Sequence, residues 1–312
     1  MLISDAIARR WTDGTRLVVT GATGWLGRCL VDELVSGLGP DRVSRDVLLL
    51  ASHSRSMAAT GDLNLRVHAW TPERVRAFQP THAVHLAFLT RERSVMMDTA
   101  NYITDNLALT GAALDLLHEP TLRGMVVSSS GVAASVARRA TIAEDPYAVL
   151  KEYEEDLIRL HAARESKAAV VCRVWSVSGP HMTKAGDFAL GSFILQALRG
   201  GPVRVEAGHP VWRTYVDAGQ MLGAGLCLAL EGTSLTYDSG GVTVEVEGLA
   251  RLVAHLVGPS GCPVVRAEPD GRPDDLYVSP LDGFQRLAAR LGLSPLSLEA
   301  QVLRTSAGIA RP

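Results

Sequence analysis

Tyr147 is followed four residues later by Lys151, and far upstream the run Leu17-Val18-Val19-Thr20 leads into Gly21-Ala22-Thr23-Gly24-Trp25-Leu26-Gly27. On a helix, a spacing of four sets the phenol and the ammonium on one face. A free tyrosine has a pKa of about 10 and is a poor acid–base catalyst at neutral pH unless a nearby positive charge stabilises its phenolate. Lys151 supplies that charge. A hydroxyl across from Tyr147 would hold the substrate oxygen. The run Ser128-Ser129-Ser130, at the end of an expected strand beside the cofactor crevice, offers one, with Ser130 the choice within the run.

The glycine run has the form of a strand-to-helix turn that binds a dinucleotide. Gly21 permits the sharp bend, Gly24 lets the backbone approach a pyrophosphate, Gly27 allows close helix packing, and the phosphate sits at the helix N-terminus. Which dinucleotide depends on the end of the second strand, where an acid would bind ribose hydroxyls and a basic, hydroxyl-rich loop would accept a 2'-phosphate. Here the segment reads Ala51-Ser52-His53-Ser54-Arg55, without a carboxylate, and Arg55 is a charge-assisted phosphate donor. NADP is favoured, with NAD the alternative. Glycine turn and Tyr/Lys pair together describe hydride and proton transfer.

Apolar runs of strand length must carry these groups: Leu17 to Thr20, Val47 to Leu50, Arg66 to Ala69, Ala83 to Ala87, Met125 to Ser128 and Val170 to Arg173. Runs apolar on consecutive residues require burial on both faces. Helical patterns at Trp25 to Leu38, Pro72 to Phe78, Asp98 to Leu117 and Pro146 to Ala163 are long enough to be crossovers. The expected fold class is α/β, a Rossmann doubly wound parallel sheet with helices on both faces, plus a smaller C-terminal α/β substrate region. The expected division is 1–175 for the NAD(P)-binding domain and 176–312 for the mainly substrate-binding region, with about 213–240 packing back on the first. After Gly179-Pro180 the pattern turns glycine- and proline-rich, with a short strand at Val203 to Glu206 and helices near Phe188 to Leu198 and Asp282 to Leu291. The charge run Glu152 to Asp156 reads as a solvated helix face.

Composition narrows the partners. A chain of 312 residues, 47% hydrophobic and 21% charged, fits one large domain or two unequal ones. The net charge of -2 and nine scattered histidines give no basic stripe for nucleic acid and no cationic segment for a membrane surface. Met1 to Trp11 has neither the charge pattern nor the apolar core of a signal peptide or anchor, so a cytoplasmic location is expected. The apolar stretch Met221 to Leu230 is too short to span a bilayer as a helix and reads as a buried helix. Cys29, Cys172, Cys227 and Cys262 lack metal-ligand spacing and read as reduced packing residues, with no metal expected.

With these residues on the page, the chain resembles the extended short-chain dehydrogenase/reductase family, the NAD(P)-dependent nucleotide-sugar epimerases, dehydratases and reductases, over nearly its whole length. The resemblance is carried by TGATGWLG at Thr20 to Gly27, HLAF at His85 to Phe88, Asn106, VSSSGV at Val127 to Val132 and YAVLK at Tyr147 to Lys151. Later landmarks are Arg173-Val174-Trp175-Ser176-Val177-Ser178-Gly179-Pro180 and Trp212-Arg213-Thr214-Tyr215-Val216. It implies Tyr147 as general acid/base, Lys151 as the group that lowers its pKa and holds the nicotinamide ribose, and Ser130 on the reacting oxygen. It also implies cofactor contacts from Gly21, Thr23, Gly24, Trp25, Leu26, Gly27, Leu86, Ala87, Phe88, Ser128 and Trp175, and substrate contacts from Thr90, Ser176 and Arg213. Asn106 is expected to pin a backbone bend, and a homodimer through the helices Asp98 to Leu117 and Pro146 to Ala163 is suggested by the resemblance alone.

Departures from the family pattern narrow the reaction. Its dehydratases carry Asp-Glu directly after the active hydroxyl residue, where this chain has Gly131-Val132, and its GDP-fucose synthases carry cysteine where Val132 stands. Ser176 replaces the usual asparagine before the Gly-Pro turn, Gln220 the usual aspartate, and Trp70 stands where an adenine-contacting aspartate is common. The phosphate-accepting loop tips the reading toward an NADPH-dependent reductase of a 4-keto nucleotide sugar. The alternatives are a nucleotide-sugar 4-epimerase with tightly bound NAD(P), or a reductase of a non-sugar ketone. A cofactor-sensing regulator is disfavoured by the retained Tyr/Lys pair.

Overall fold

The computed structural model describes residues 1–60, 63–135, 140–280 and 282–310. The strands in chain order are β1 Leu17–Thr20, β2 Val47–Ala51, β3 Arg55–Ala58, β4 Asn64–Ala69, β5 His82–His85, β6 Gly124–Ser130 and β7 Ala168–Val174, then β8 Ser176–Ser178, β9 Val203–Val205, β10 Val211–Asp217, β11 Leu235–Asp238, β12 Val242–Glu245, β13 Val264–Arg266 and β14 Asp275–Tyr277. The chain divides into two compact units. The first comprises Met1–Val174 and Leu222–Asp238, the second Trp175–Met221 and Ser239–Pro312.

The first unit is built on one eight-stranded sheet of order β11-β7-β6-β5-β1-β2-β4-β3. All of its pairings are parallel except that between β3 and β4. The expected wholly parallel sheet thus gains an antiparallel edge, because Arg55–Ala58 turns back along β4 directly after β2. Leu17 to Thr20 are buried to the last residue, as the unbroken apolar run requires. Strand order reverses between β1 and β5, and the crevice beyond their carboxyl ends is the topological switch point where ligands of such sheets bind.

Local chemistry sets the crossover helices. Pro146 opens the helix Pro146–Arg164, and the Asp145 side chain caps it by accepting from the Ala148 N–H at 3.1 Å. Asp98 caps Thr99–Leu117 in the same way through Asn101. These two helices lie over the sheet, and Leu116, Leu117 and Ile158 join Val18, Leu50, Ala83, Met125 and Val127 in one buried cluster. The stretch 221–230 lies within the helix Ala218–Leu230, where Met221, Leu222, Leu226, Cys227 and Leu228 are fully buried. Among the described residues no helix is long and apolar enough to cross a membrane.

In the second unit β12-β10-β14 form a mixed sheet joined by β8 along β10, and β9 pairs with β13. The helices Ala189–Leu198, Val246–Val257, Asp282–Leu291 and Leu298–Ile309 complete it.

Candidate active site

Thr20 ends β1, and Gly21 follows with φ of +65°. A Cβ there would lie 2.8 Å from the Leu86 carbonyl carbon and 2.9 Å from the Ala87 nitrogen, so glycine is needed both for the left-handed backbone and for the approach of the segment after β5. Gly27 is equally confined: a Cβ would come within 2.5 Å of the Gly21 oxygen. Gly24 starts the helix Trp25–Leu38 without a side-chain cap, leaving first-turn N–H groups directed out of the helix end. An uncapped N-terminus behind a turn that lacks a Cβ at Gly21 and Gly24 fits a pyrophosphate.

A cavity of about 400 Å³ opens beside this turn, lined by Gly21, Thr23, Ser52, Trp70, Ala87 and Phe88 among others, and among the described residues none that lines it is acidic. Ser52, His53, Ser54 and Arg55 are all exposed. Ser52 lines the cavity, Ser54 Oγ accepts from the Ala69 N–H at 2.9 Å, and Arg55 is the first residue of β3. A larger cavity of about 640 Å³ lies in the second unit beside Arg251, His255 and Cys262, and none of the expected site residues lines it.

The serine run lies inside β6 rather than after it: Ser128, Ser129 and Ser130 pair with Cys172, Arg173 and Val174. The strand extends beyond the expected Ser128 because β7 continues alongside to Val174. Alternation places Ser128 and Ser130 on one face. Ser130 Oγ accepts from the Val132 N–H at 3.4 Å. Lys151 is buried, and its Nζ donates to the Ser128 carbonyl oxygen at 2.8 Å and to Glu154 Oε2 at 2.8 Å. The Phe88 ring joins the pair: its centroid is 3.6 Å from Lys151 Nζ and 6.0 Å from the Tyr147 ring, edge-on at 75°. Ser128, Tyr147, Lys151 and Phe88 are therefore gathered at the carboxyl end of the sheet.

β5 ends at His85, two residues short of the expected Ala87, because the N–H groups of Leu86 and Ala87 turn to Thr20 Oγ1 at 3.2 and 3.3 Å. The segment is then pinned by Asn106, whose Oδ1 accepts from the Leu89 N–H at 2.8 Å, and by Tyr102, whose hydroxyl donates to the Leu89 oxygen at 2.8 Å. Thr90 is exposed at the start of the short helix Arg91–Met96, and Arg91 pairs with Asp145 at 2.6 Å.

Glu152 to Asp156 is not the uniformly solvated face that its charge suggests. Tyr153 and Asp156 are exposed, but Glu154 and Glu155 are fully buried, since residues three and four beyond Lys151 share its inward face. Each meets a cation. Glu155 takes a bidentate pair from Arg173 at 2.8 and 3.0 Å, and Glu154 takes Lys151. Burial pushes the Lys151 ammonium down and the Glu154 carboxyl up from their ordinary values, and each partner opposes the shift of the other. Burial, with Lys151 nearby, lowers His85 to about 3, so its ring is neutral. Sequence reasoning missed Glu154; the spacing from Lys151 was the available signal.

The remaining expected residues belong to the second unit. The Trp175 ring lies 4.7 Å from that of Tyr277, and Ser176 opens β8 opposite Tyr215. Arg213 on β10 pairs with Asp275 at 2.7 Å, and the arginine holds that carboxyl below its ordinary value. Gln220 is engaged structurally, donating to the Ser294 oxygen at 3.0 Å and accepting from the Leu296 N–H at 2.9 Å.

The sequence profile of the NAD dependent epimerase/dehydratase family matches residues 17–235, from β1 to the start of β11. The chain belongs to this family. As a member of the NAD dependent epimerase/dehydratase family it is an enzyme of the extended short-chain type. No curated protein matches the sequence. Among solved structures, it is similar to the UDP-glucose 4-epimerase of Thermotoga maritima with UDP-glucose, at 22% identity and a TM-score of 0.70 over 94% of this chain and 97% of that one. The UDP-glucose 4-epimerase of Thermus thermophilus in complex with NAD gives 23% identity and a TM-score of 0.69 over 95% and 99% of the two chains. The dTDP-glucose 4,6-dehydratase DesIV of Streptomyces venezuelae, a double mutant with NAD bound, gives 21% and 0.70 over 95% and 97%. These likenesses show the shared fold.

Proposed function

We propose that this enzyme reduces the keto group of a 4-keto nucleotide sugar with NADPH. The observation that carries the reading is Lys151, one helical turn from Tyr147, buried and anchored on the carbonyl oxygen of Ser128, whose strand lies in the same sheet as the strand that leads into the glycine turn. Gly21, Thr23, Gly24, Trp25, Leu26 and Gly27 would hold the pyrophosphate, and Leu86, Ala87, Phe88, Ser128 and Trp175 would line the rest of the cofactor. The bound cofactor supplies the hydride. Ser130 holds the substrate oxygen, Tyr147 donates a proton to it, and the resulting phenolate, held beside Lys151, regains a proton from solvent. Thr90, Ser176 and Arg213 would contact the substrate. The absence of any acid among the described residues of the cavity lining, with Ser52, His53, Ser54 and Arg55 at the end of β2, supports NADP over NAD.

A second reading, a nucleotide-sugar 4-epimerase, is favoured by the two 4-epimerases of the same fold. Leu107 and Leu160, exposed on the helices Thr99–Leu117 and Pro146–Arg164, support a homodimer through these helices. The test is nicotinamide absorbance followed together with product formation, with NADPH or NADH, against nucleotide-linked 4-keto and 4-hydroxy sugars. One cofactor oxidised per product is expected. Interconversion of 4-hydroxy epimers without net cofactor use would replace the reductase by the epimerase. Inertness toward the whole panel would move the substrate to non-sugar ketones.

A further inference from the structure

A buried carboxylate stands behind the proposed acid–base pair and has no part in the chemistry above. Glu154 Oε2 accepts from Lys151 Nζ at 2.8 Å. Its other oxygen, Oε1, faces His85 Nε2 at 3.6 Å, and neither atom has a hydrogen-bond partner among the described residues. His85 Nδ1 lies 2.9 Å from Thr20 Oγ1, whose lone pairs are taken by the N–H groups of Leu86 and Ala87. Thr20 Oγ1 and His85 Nδ1 share one proton, and Nε2 faces Glu154. Thr20, His85, Glu154 and Lys151 form one buried chain from the end of β1 to the helix that carries Tyr147.

A cation acts on a neighbouring phenol through its net field, and a carboxylate 2.8 Å away in a dry site offsets most of that field. With the proton on either partner, the Lys151–Glu154 pair carries no net charge. The other groups around it do not change this balance. Glu155 is met by Arg173 and lies 3.6 Å from Arg159, Asp145 is paired with Arg91, and His85 is neutral. Tyr102, close enough to Tyr147 for each to feel the other's charge, is kept protonated by burial.

We propose that Glu154 is a positioning residue that fixes Lys151 and offsets its charge, so that Tyr147 remains a protonated phenol at neutral pH. The site is then set to give a proton to a carbonyl oxygen rather than to take one from an alcohol. This rests on the reading of Tyr147 and Lys151 as the acid–base pair.

Ultraviolet difference titration of tyrosinate, comparing each protein with its Tyr147→Phe counterpart, isolates Tyr147 from the other tyrosines. Glu154→Gln keeps an oxygen for Lys151 and removes the charge. It is expected to lower the Tyr147 ionisation by about one pH unit or more, roughly tenfold in the ionisation constant, and to move the alkaline limb of the reduction profile down equally. Glu154→Asp should restore both. An unchanged titration in folded Glu154→Gln overturns the proposal. If that variant does not fold, Lys151→Met/Glu154→Gln, which removes both charges, decides. Ionisation within about half a unit of wild type is expected, and a rise of more than about one unit, the signature of an unopposed Lys151, overturns it. Tyr147→Phe that still turns over would defeat the functional reading itself, whereas an essential Tyr147 whose ionisation ignores Glu154 defeats only this inference.

Discussion

Two ion pairs of nearly equal length sit in different halves of this molecule. Lys151 and Glu154 are 2.8 Å apart with side chains 5% and 0% exposed; Arg213 and Asp275 are 2.7 Å apart with side chains 23% and 47% exposed. The first pair has lost its water and is held by a carbonyl oxygen, an aromatic face and a histidine, so neither partner can leave without stranding the other's polar group. The second is partly exposed and screened, so each partner keeps access to water when the pair opens. Distance alone does not separate a fixed device from an available one; burial does.

The comparison can be broken most sharply at the buried end. Tyr147→Phe is expected to lower turnover by on the order of 10²–10⁴-fold with cofactor affinity nearly unchanged, as measured by steady-state kinetics and cofactor titration. Retained turnover would remove the buried pair's partner from the chemistry. Next in size, Glu154→Ala should destabilise the fold by roughly 3–5 kcal/mol in a denaturant titration, because it leaves an ammonium buried without its counter-charge. If it costs no more than Asp275→Ala, the contrast between the pairs is wrong.

Burial also makes the first unit acid-sensitive. His82 is lowered to about 4 by burial and then by Arg123, and His85 to about 3 by burial and then by Lys151. Unfolded histidine titrates near 6.5, so below that pH the unfolded chain binds protons that the folded chain refuses. Stability is fully present above about pH 6.5 and falls as the pH drops toward the folded values, at about 1.4 kcal/mol per pH unit for each histidine. Denaturant midpoints from pH 7 to 5 measure the slope, and His82→Gln should flatten it. The smallest effect belongs to the exposed pair. Asp275→Asn is expected to change stability by less than about 1 kcal/mol, while Arg213→Ala raises KM and leaves kcat nearly intact. A fall in kcat alone would contradict a binding role for Arg213.

Much of the fold was legible locally. Leu17 to Thr20 are apolar without a break, and the helices at Trp25, Pro72 and Asp282 begin and end where their pattern places them. Errors arose where a distant partner decides: β6 runs on through Ser130 because β7 lies beside it, β5 stops early because Thr20 takes the next two N–H groups, and Arg55 starts an antiparallel edge. Of the site, the glycine turn and the Tyr147/Lys151 spacing are sequence signals, whereas Asp275 and Tyr277, which meet Arg213 and Trp175, are not. The charge run around Glu154 reads as a solvated face because acidic residues usually are exposed, while its spacing of three from Lys151 points inward.

The sequence by itself determined the strand-to-helix glycine turn, the helix that presents Tyr147 and Lys151 together, and membership of an NAD-dependent enzyme family. These follow from spacings within one turn or one strand, where covalent geometry sets neighbours. Only the tertiary structure decided that Glu154 is dry, that His85 faces it, and that Arg213 meets a carboxylate 62 residues away. Burial and pairing depend on which surfaces pack over a residue, and it is the removal of water by those surfaces that turns an ordinary glutamate into the counter-charge of Lys151.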